Sequence, residues 1–174
     1  GGSLENRLRY PVAVCRAMRA VWPQEKPMSV RISAHDWMGD DGVTEQDALL
    51  IAQAFIEAGA DIINVSTGQT SHSAKPQPGR MFQTPLSDII RNDGDIPTIA
   101  VGNIYETDHV NSIIAAGRAD LVCLARPHLA DPNWTLHAAA ELGYQGPGAI
   151  EQHQYFLGYR QAHTLAERER EATS

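Results

Sequence analysis

Four short apolar runs recur along the chain, Met28 to Ala34 (MSVRISA), Asp61 to Ser66 (DIINVS), Pro97 to Val101 (PTIAV) and Asp120 to Ala125 (DLVCLA). Helical spacing follows each of them. Between Thr44 and Ala58, apolar residues fall at Leu49, Ala52, Phe55 and Ile56. Thr44 and Asp47 resemble a capping box, and Gly59 offers a left-handed stop. A further helix is expected around Pro85 to Arg91. Another starts at a Thr107 cap, carries Val110, Ile113 and Ile114, and stops at Gly117. Asp131 reads as an N-cap with Pro132 at the first helical position, where a missing N–H does no harm. A helix from Ser3 or Pro11 to Val21 precedes the first run. Strands alternating with helices define an α/β chain with a parallel sheet. Runs this apolar predict strands buried on both faces.

Composition removes several partner classes. The 174 residues carry 14 Lys and Arg against 21 Asp and Glu, a formal charge of −7 that opposes binding to nucleic-acid phosphates. No apolar run approaches the roughly 20 residues needed to cross a bilayer, so no membrane partner and a cytoplasmic location are expected. Cys15 and Cys123 sit far apart in apolar surroundings without metal-ligand spacing, and read as reduced, buried thiols; no metal is expected. The chain opens Gly1-Gly2-Ser3 without an initiator Met, which suggests a piece of something longer.

In parallel α/β folds ligands bind beyond the carboxyl ends of the strands, so the residues ending each run are the informative ones. They are Arg31 and Ser33, Ser66 and Thr67, Gly102 and Asn103, and Arg126. Backbone N–H groups at Gly102 and Asn103 with the forked guanidinium of Arg126 suit a phosphate dianion. A plain turn at Gly102-Asn103 and an Arg126–Asp131 ion pair remain open alternatives. Arg31, in a strand read as buried, would be costly to hold without an anion or electron-rich partner. His35 and Asp36 make a base and its orienting carboxylate only if they face one another. His128 stands close enough in sequence to Arg126 to share an anion. The long polar stretch Thr67 to Thr84 is too long for a bland connection. No GxSxG, Walker or GxGxxG pattern occurs, and Lys26 and Lys75 end no strand, which disfavours a Schiff-base aldolase.

These residues resemble the old yellow enzyme family of FMN-dependent, NAD(P)H-linked oxidoreductases. GGSLENRLR at Gly1 to Arg9 is similar to the loop and helix start after that family's fourth strand, and VRIS at Val30 to Ser33 to its fifth. VGNI at Val101 to Ile104 and LARPHLADPNW at Leu124 to Trp134 are similar to the ends of its seventh and eighth strands. The resemblance implies the C-terminal half of a (β/α)8 TIM barrel over residues 1–144, with 145–174 an extension or tail.

It further implies that Arg31 faces the polar end of the isoalloxazine. Gly102, Asn103, Ala125 and Arg126 would hold the FMN phosphate. Family members often carry Gly where Ala125 stands, but a backbone contact tolerates a methyl group. The implied reaction passes hydride from NAD(P)H through flavin to an electron-poor double bond. The family's catalytic His pair, or His and Asn, and its Tyr belong to segments before Gly1, so this stretch alone is expected to turn over little. STGQT, GRMFQTPLSDIIRN and ARPHLADPNWTLHAAAELGY resemble more narrowly the reductase portion of bifunctional monooxygenase/reductase fusions acting on salicylyl-CoA or aminobenzoyl-CoA. That likeness implies a role in aromatic degradation and an aromatic acyl-CoA substrate. The alternative is a non-catalytic half-barrel that binds a phosphorylated ligand and needs a partner chain, or a second copy of itself, to complete the sheet.

Overall fold

A computed structural model describes residues 1–149 and 152–173, in two compact units, Gly1–Leu124 and Ala125–Ser174. In the first unit α1 (Leu4–Val21), α2 (Glu45–Glu57), α3 (Thr84–Gly94) and α4 (Thr107–Ala115) alternate with β1 (Ser29–Ser33), β2 (Ile62–Ser66), β3 (Thr98–Ala100) and β4 (Leu121–Val122). The four strands are parallel and lie in sequence order. That order is what successive strand–helix–strand crossovers of one hand produce.

Local chemistry sets the helix ends. Ser3 Oγ accepts from Asn6 N–H and Thr44 Oγ1 from Asp47 N–H, so α1 and α2 each start on a side-chain cap. Pro11 lies inside α1 without ending it. Helix α4 begins at Thr107 with Glu106 as its N-cap, one residue earlier than the sequence suggested. The fourth strand is also shorter than its apolar run.

The core lies on one face of the sheet. Ile32, Ile63 and Val65 pack there with Val12 and Cys15 of α1, Ile51 and Phe55 of α2, and Leu86 and Ile90 of α3. A smaller cluster joins Ala100 to Ile104, Ile113 and Ala119. Each fully buried Ile or Val contributes about 1.5 to 3 kcal/mol of transfer free energy. The opposite face differs from expectation, because the strands are not buried on both sides. Register places Arg31 beside Asn64, Asn64 beside Ile99, and Ile99 beside Leu121, and this row is exposed or half-exposed. The reason is period 2: Arg31 and Ser33 alternate with Ile32, as Asn64 and Ser66 alternate with Val65.

In the second unit α5 (Arg126–Ala130), α6 (Trp134–Glu141) and α7 (Phe156–Thr173) follow one another. Asp131 ends α5 rather than starting α6, whose N-cap is Asn133. The Asp131 carboxylate accepts from Asn133 N–H at 2.9 Å and lies 2.6 Å from His137 Nδ1. The charged end of the 145–174 segment forms α7, while residues 150, 151 and 174 lie outside the described residues. Among the described residues, no helix is long and apolar enough to cross a membrane.

Candidate functional site

The carboxyl ends of the strands in the first unit gather polar side chains and strained backbone. Arg31 is exposed, and its guanidinium donates to Asn64 Oδ1 at 3.0 Å and to Ser66 Oγ at 2.8 Å. Arg31 is therefore not a buried charge that requires a ligand, contrary to expectation: its alternating position puts it on the open face, where two residues of β2 hold it. Guanidinium carries five N–H donors, so the fork keeps donor capacity beyond these two bonds. It is an oriented cation on an open polar surface.

Beside it, Ser33 Oγ donates to Asp36 Oδ1 at 2.7 Å and accepts from Gly68 N–H at 3.2 Å. Asp36 Oδ2 accepts from Val43 N–H at 3.0 Å, and Asp36 N–H donates to Val43 O at 3.0 Å, which closes the 36–43 loop on itself. His35 does not face Asp36. Its Nδ1 accepts from Trp37 N–H at 2.9 Å, and its ring lies 4.4 Å from the Trp37 ring. A His–Asp base pair is therefore not assembled.

The long segment after β2 is pinned at both ends. Gly68 N–H donates to His35 O at 2.9 Å and Lys75 N–H to Trp37 O at 3.1 Å, which ties it to the end of β1. Asn103 Nδ2 donates to Gly79 O at 2.8 Å, and Met81 N–H to Asn103 O at 3.3 Å, which ties it to the end of β3. Left-handed backbone is concentrated here: Trp37 (φ 59°), Gln69 (61°), Met81 (53°) and Asn103 (52°) are four of the five non-glycine residues with positive φ among the described residues. Each costs on the order of 1 to 3 kcal/mol, and such strain collects where loops are shaped for ligands.

Gly102 adopts φ +110°, and a Cβ there would meet Gln83 Cδ at 2.6 Å. The missing side chain thus makes room for Gln83, while the backbone N–H stays at the strand end. Asn103 spends its side chain on the loop, which leaves its backbone as the part suited to an anion. Arg126 stands at the first position of α5 with Ala125 as N-cap, in the second unit. Asp131 partners His137. Burial opposes ionisation of Asp131, but the His137 contact and the Asn133 N–H outweigh it and hold its pKa below the ordinary 3.8.

Asn64 and Gln83 carry no role in the sequence reading, and Asp36 figures there only as a partner for His35, whereas in the fold it holds Ser33 and Val43. Strict alternation in INVS was the signal for Asn64. No local signal marks Gln83, whose role depends on a contact across the fold.

An open-faced parallel α/β sheet, with an oriented guanidinium and anchored loops on its carboxyl edge, defines the class as a cofactor-binding barrel-type sheet. Residues 1–145 match the NADH:flavin oxidoreductase / NADH oxidase family, and the chain belongs to that family. FMN is the cofactor of these flavin oxidoreductases, with NADPH or NADH as reductant.

The chain is 39% identical over 140 residues to an NADPH dehydrogenase of Clostridium acetobutylicum, covering 80% of this chain and 40% of that protein. It is 39% identical over 161 residues to an NADPH dehydrogenase of Geobacillus sp. (strain WCH70), covering 92% and 45%. It is 36% identical over 138 residues to an NADH oxidase of Thermoanaerobacter brockii, covering 77% and 21%. The chain thus spans less than half the length of these relatives. Among solved structures, a 2-naphthoyl-CoA reductase in complex with 2-naphthoyl-CoA superposes with a TM-score of 0.69 at 24% identity, covering 83% of this chain and 22% of that one. That likeness concerns the fold.

The donor set fits FMN. A flavin needs a cation near its pyrimidine ring and amides near its phosphate; in the first unit, Arg31 has the chemistry for the first and the Gly102-Asn103 backbone for the second.

Proposed function

We propose that this chain is the flavin-holding C-terminal half of a (β/α)8 barrel NAD(P)H oxidoreductase, with residues 1–144 the barrel half and 145–174 its extension. Bound FMN would supply hydride transfer from NAD(P)H to an electron-poor C=C bond. Arg31 would donate to the N1 and C2=O end of the isoalloxazine, and Asn64 and Ser66 would keep its fork in that orientation. Gly102, Asn103, Ala125 and Arg126 would bind the phosphate. The observation carrying this reading is Arg31, fixed by two bonds on an open polar face. An aromatic acyl-CoA is the substrate class favoured by the STGQ and GRMFQTP segments, and the open face calls for a second barrel half or a second copy.

A redox titration of the FMN-loaded protein tests the reading. Arg31→Ala is expected to shift the flavin potential by about 30 mV to the negative, equivalent to ~1.4 kcal/mol for a two-electron couple. Arg31→Lys should recover part of it. An unchanged potential in Arg31→Ala would remove Arg31 from the flavin. Uptake of other phosphate esters but not of FMN would favour the non-redox half-barrel instead.

A further inference from the structure

The chain is acidic overall, yet no Asp or Glu occurs between Asp61 and Asp88, while Lys75 and Arg80 both fall in that interval. Both are exposed, and neither has an ion-pair partner among the described residues. Four other arginines of the same unit are neutralised in place, Arg7 by Asp47, Arg19 by Asp61, Arg91 by Asp120 and Arg118 by Asp88, whereas Arg9, Arg16 and Arg31 form no ion pair among the described residues. Asp40 and Asp41 on the 36–43 loop form no ion pair with Lys75 or Arg80 among the described residues.

The backbone that carries the two cations is anchored. Lys75 is bonded through its own N–H to Trp37 O, and the residue before Arg80 through its carbonyl to Asn103 Nδ2. Between them runs Pro76-Gln77-Pro78-Gly79, and each proline fixes its own φ and restricts the residue before it. Little chain entropy remains to be lost when an anion bridges them. An exposed cation without a carboxylate partner, carried by anchored backbone near the carboxyl ends of a parallel sheet, is suited to phosphate oxygens.

We propose that Lys75 and Arg80 form a docking site for the phosphorylated tail of a ligand whose reactive end lies at the flavin. The proposal rests on the reading that this carboxyl edge carries the ligands. Two ligands share the chemistry: a coenzyme A thioester and the phosphates of NADPH.

Isothermal titration calorimetry at low salt on the FMN-supplemented chain separates them, with coenzyme A, its phosphate-free analogue pantetheine, and NADPH as probes. In the Lys75→Ala/Arg80→Ala double variant, coenzyme A or NADPH is expected to bind about tenfold more weakly, while pantetheine binding and the melting temperature stay unchanged. Loss for coenzyme A alone assigns the site to the thioester tail, loss for NADPH alone to the reductant, and loss for both to either ligand. Equal affinity of the two proteins for both phosphorylated probes, no binding of either probe by the unaltered chain, or an equal loss for pantetheine would overturn the proposal. FMN titrated into the same samples keeps the two readings apart. Failure to bind FMN removes the flavin reading, whereas FMN binding with unaltered probe affinity removes only this one.

Discussion

Individual residues carry consequences that can be measured singly. Gly102 combines φ +110° with Gln83 packed where its Cβ would be. Gly102→Ala should therefore lose roughly 2 to 4 kcal/mol in urea unfolding, and adding Gln83→Ala should restore the part due to the clash. Asp120 accepts from Thr98 N–H at 2.8 Å and pairs with Arg91 at 3.1 Å. Burial works against its ionisation, but these partners outweigh it and hold its pKa below the ordinary 3.8. A lowered pKa means the stabilisation is complete above 3.8 and is lost as pH falls through the lowered value. Asp120→Asn should cost about 1 kcal/mol at neutral pH, since the carboxylate is partly exposed, and should flatten the acid limb of stability against pH. Cys15 is 5% exposed, and burial pushes its thiol pKa up against the opposing pull of Arg19 and Arg16. It should react with a thiol reagent more slowly than Cys123 in the native protein, and faster reaction at Cys15 would contradict the packing of α1 on the sheet.

Elements repay the same treatment. The Thr44 cap on α2 is bonded at 3.3 Å, and Thr44→Ala should destabilise by about 1 kcal/mol in denaturant titration. Each strand and helix of the first unit was legible in the sequence because apolar period and end signals agree there, as at Thr44, Gly59 and Gly117. The second unit was less so. Asp131-Pro132 looks like a helix start, but Asp131 closes α5 and the next helix begins at Trp134, a choice set by the bonds to Asn133 and His137. Taken alone, Arg31 reads as one costly residue in an apolar run, which hides the open sheet face. Reading it with Ser33, Asn64 and Ser66, which share its face, shows a polar stripe. The packing of Gln83 against Gly102 and the bonds of Asp36 depend on contacts between segments that no local pattern encodes.

At the scale of the molecule, β1 and β4 are each paired on one side only among the described residues, and their outer edges offer unpaired backbone groups. Light scattering across a concentration series should report association of the isolated chain, and a strictly monomeric chain at high concentration would require another cover for those edges. Membership of the flavin oxidoreductase family, with less than half the length of the relatives matched, makes the placement of FMN the centre of the account. Its most direct test compares FMN with riboflavin, which lacks the phosphate, by fluorescence titration into the chain. FMN is predicted to bind at least about tenfold more tightly, and Arg126→Ala to remove most of that advantage. Equal binding of the two flavins, or an FMN preference that survives Arg126→Ala, would contradict the proposed role of Arg126 in holding the phosphate.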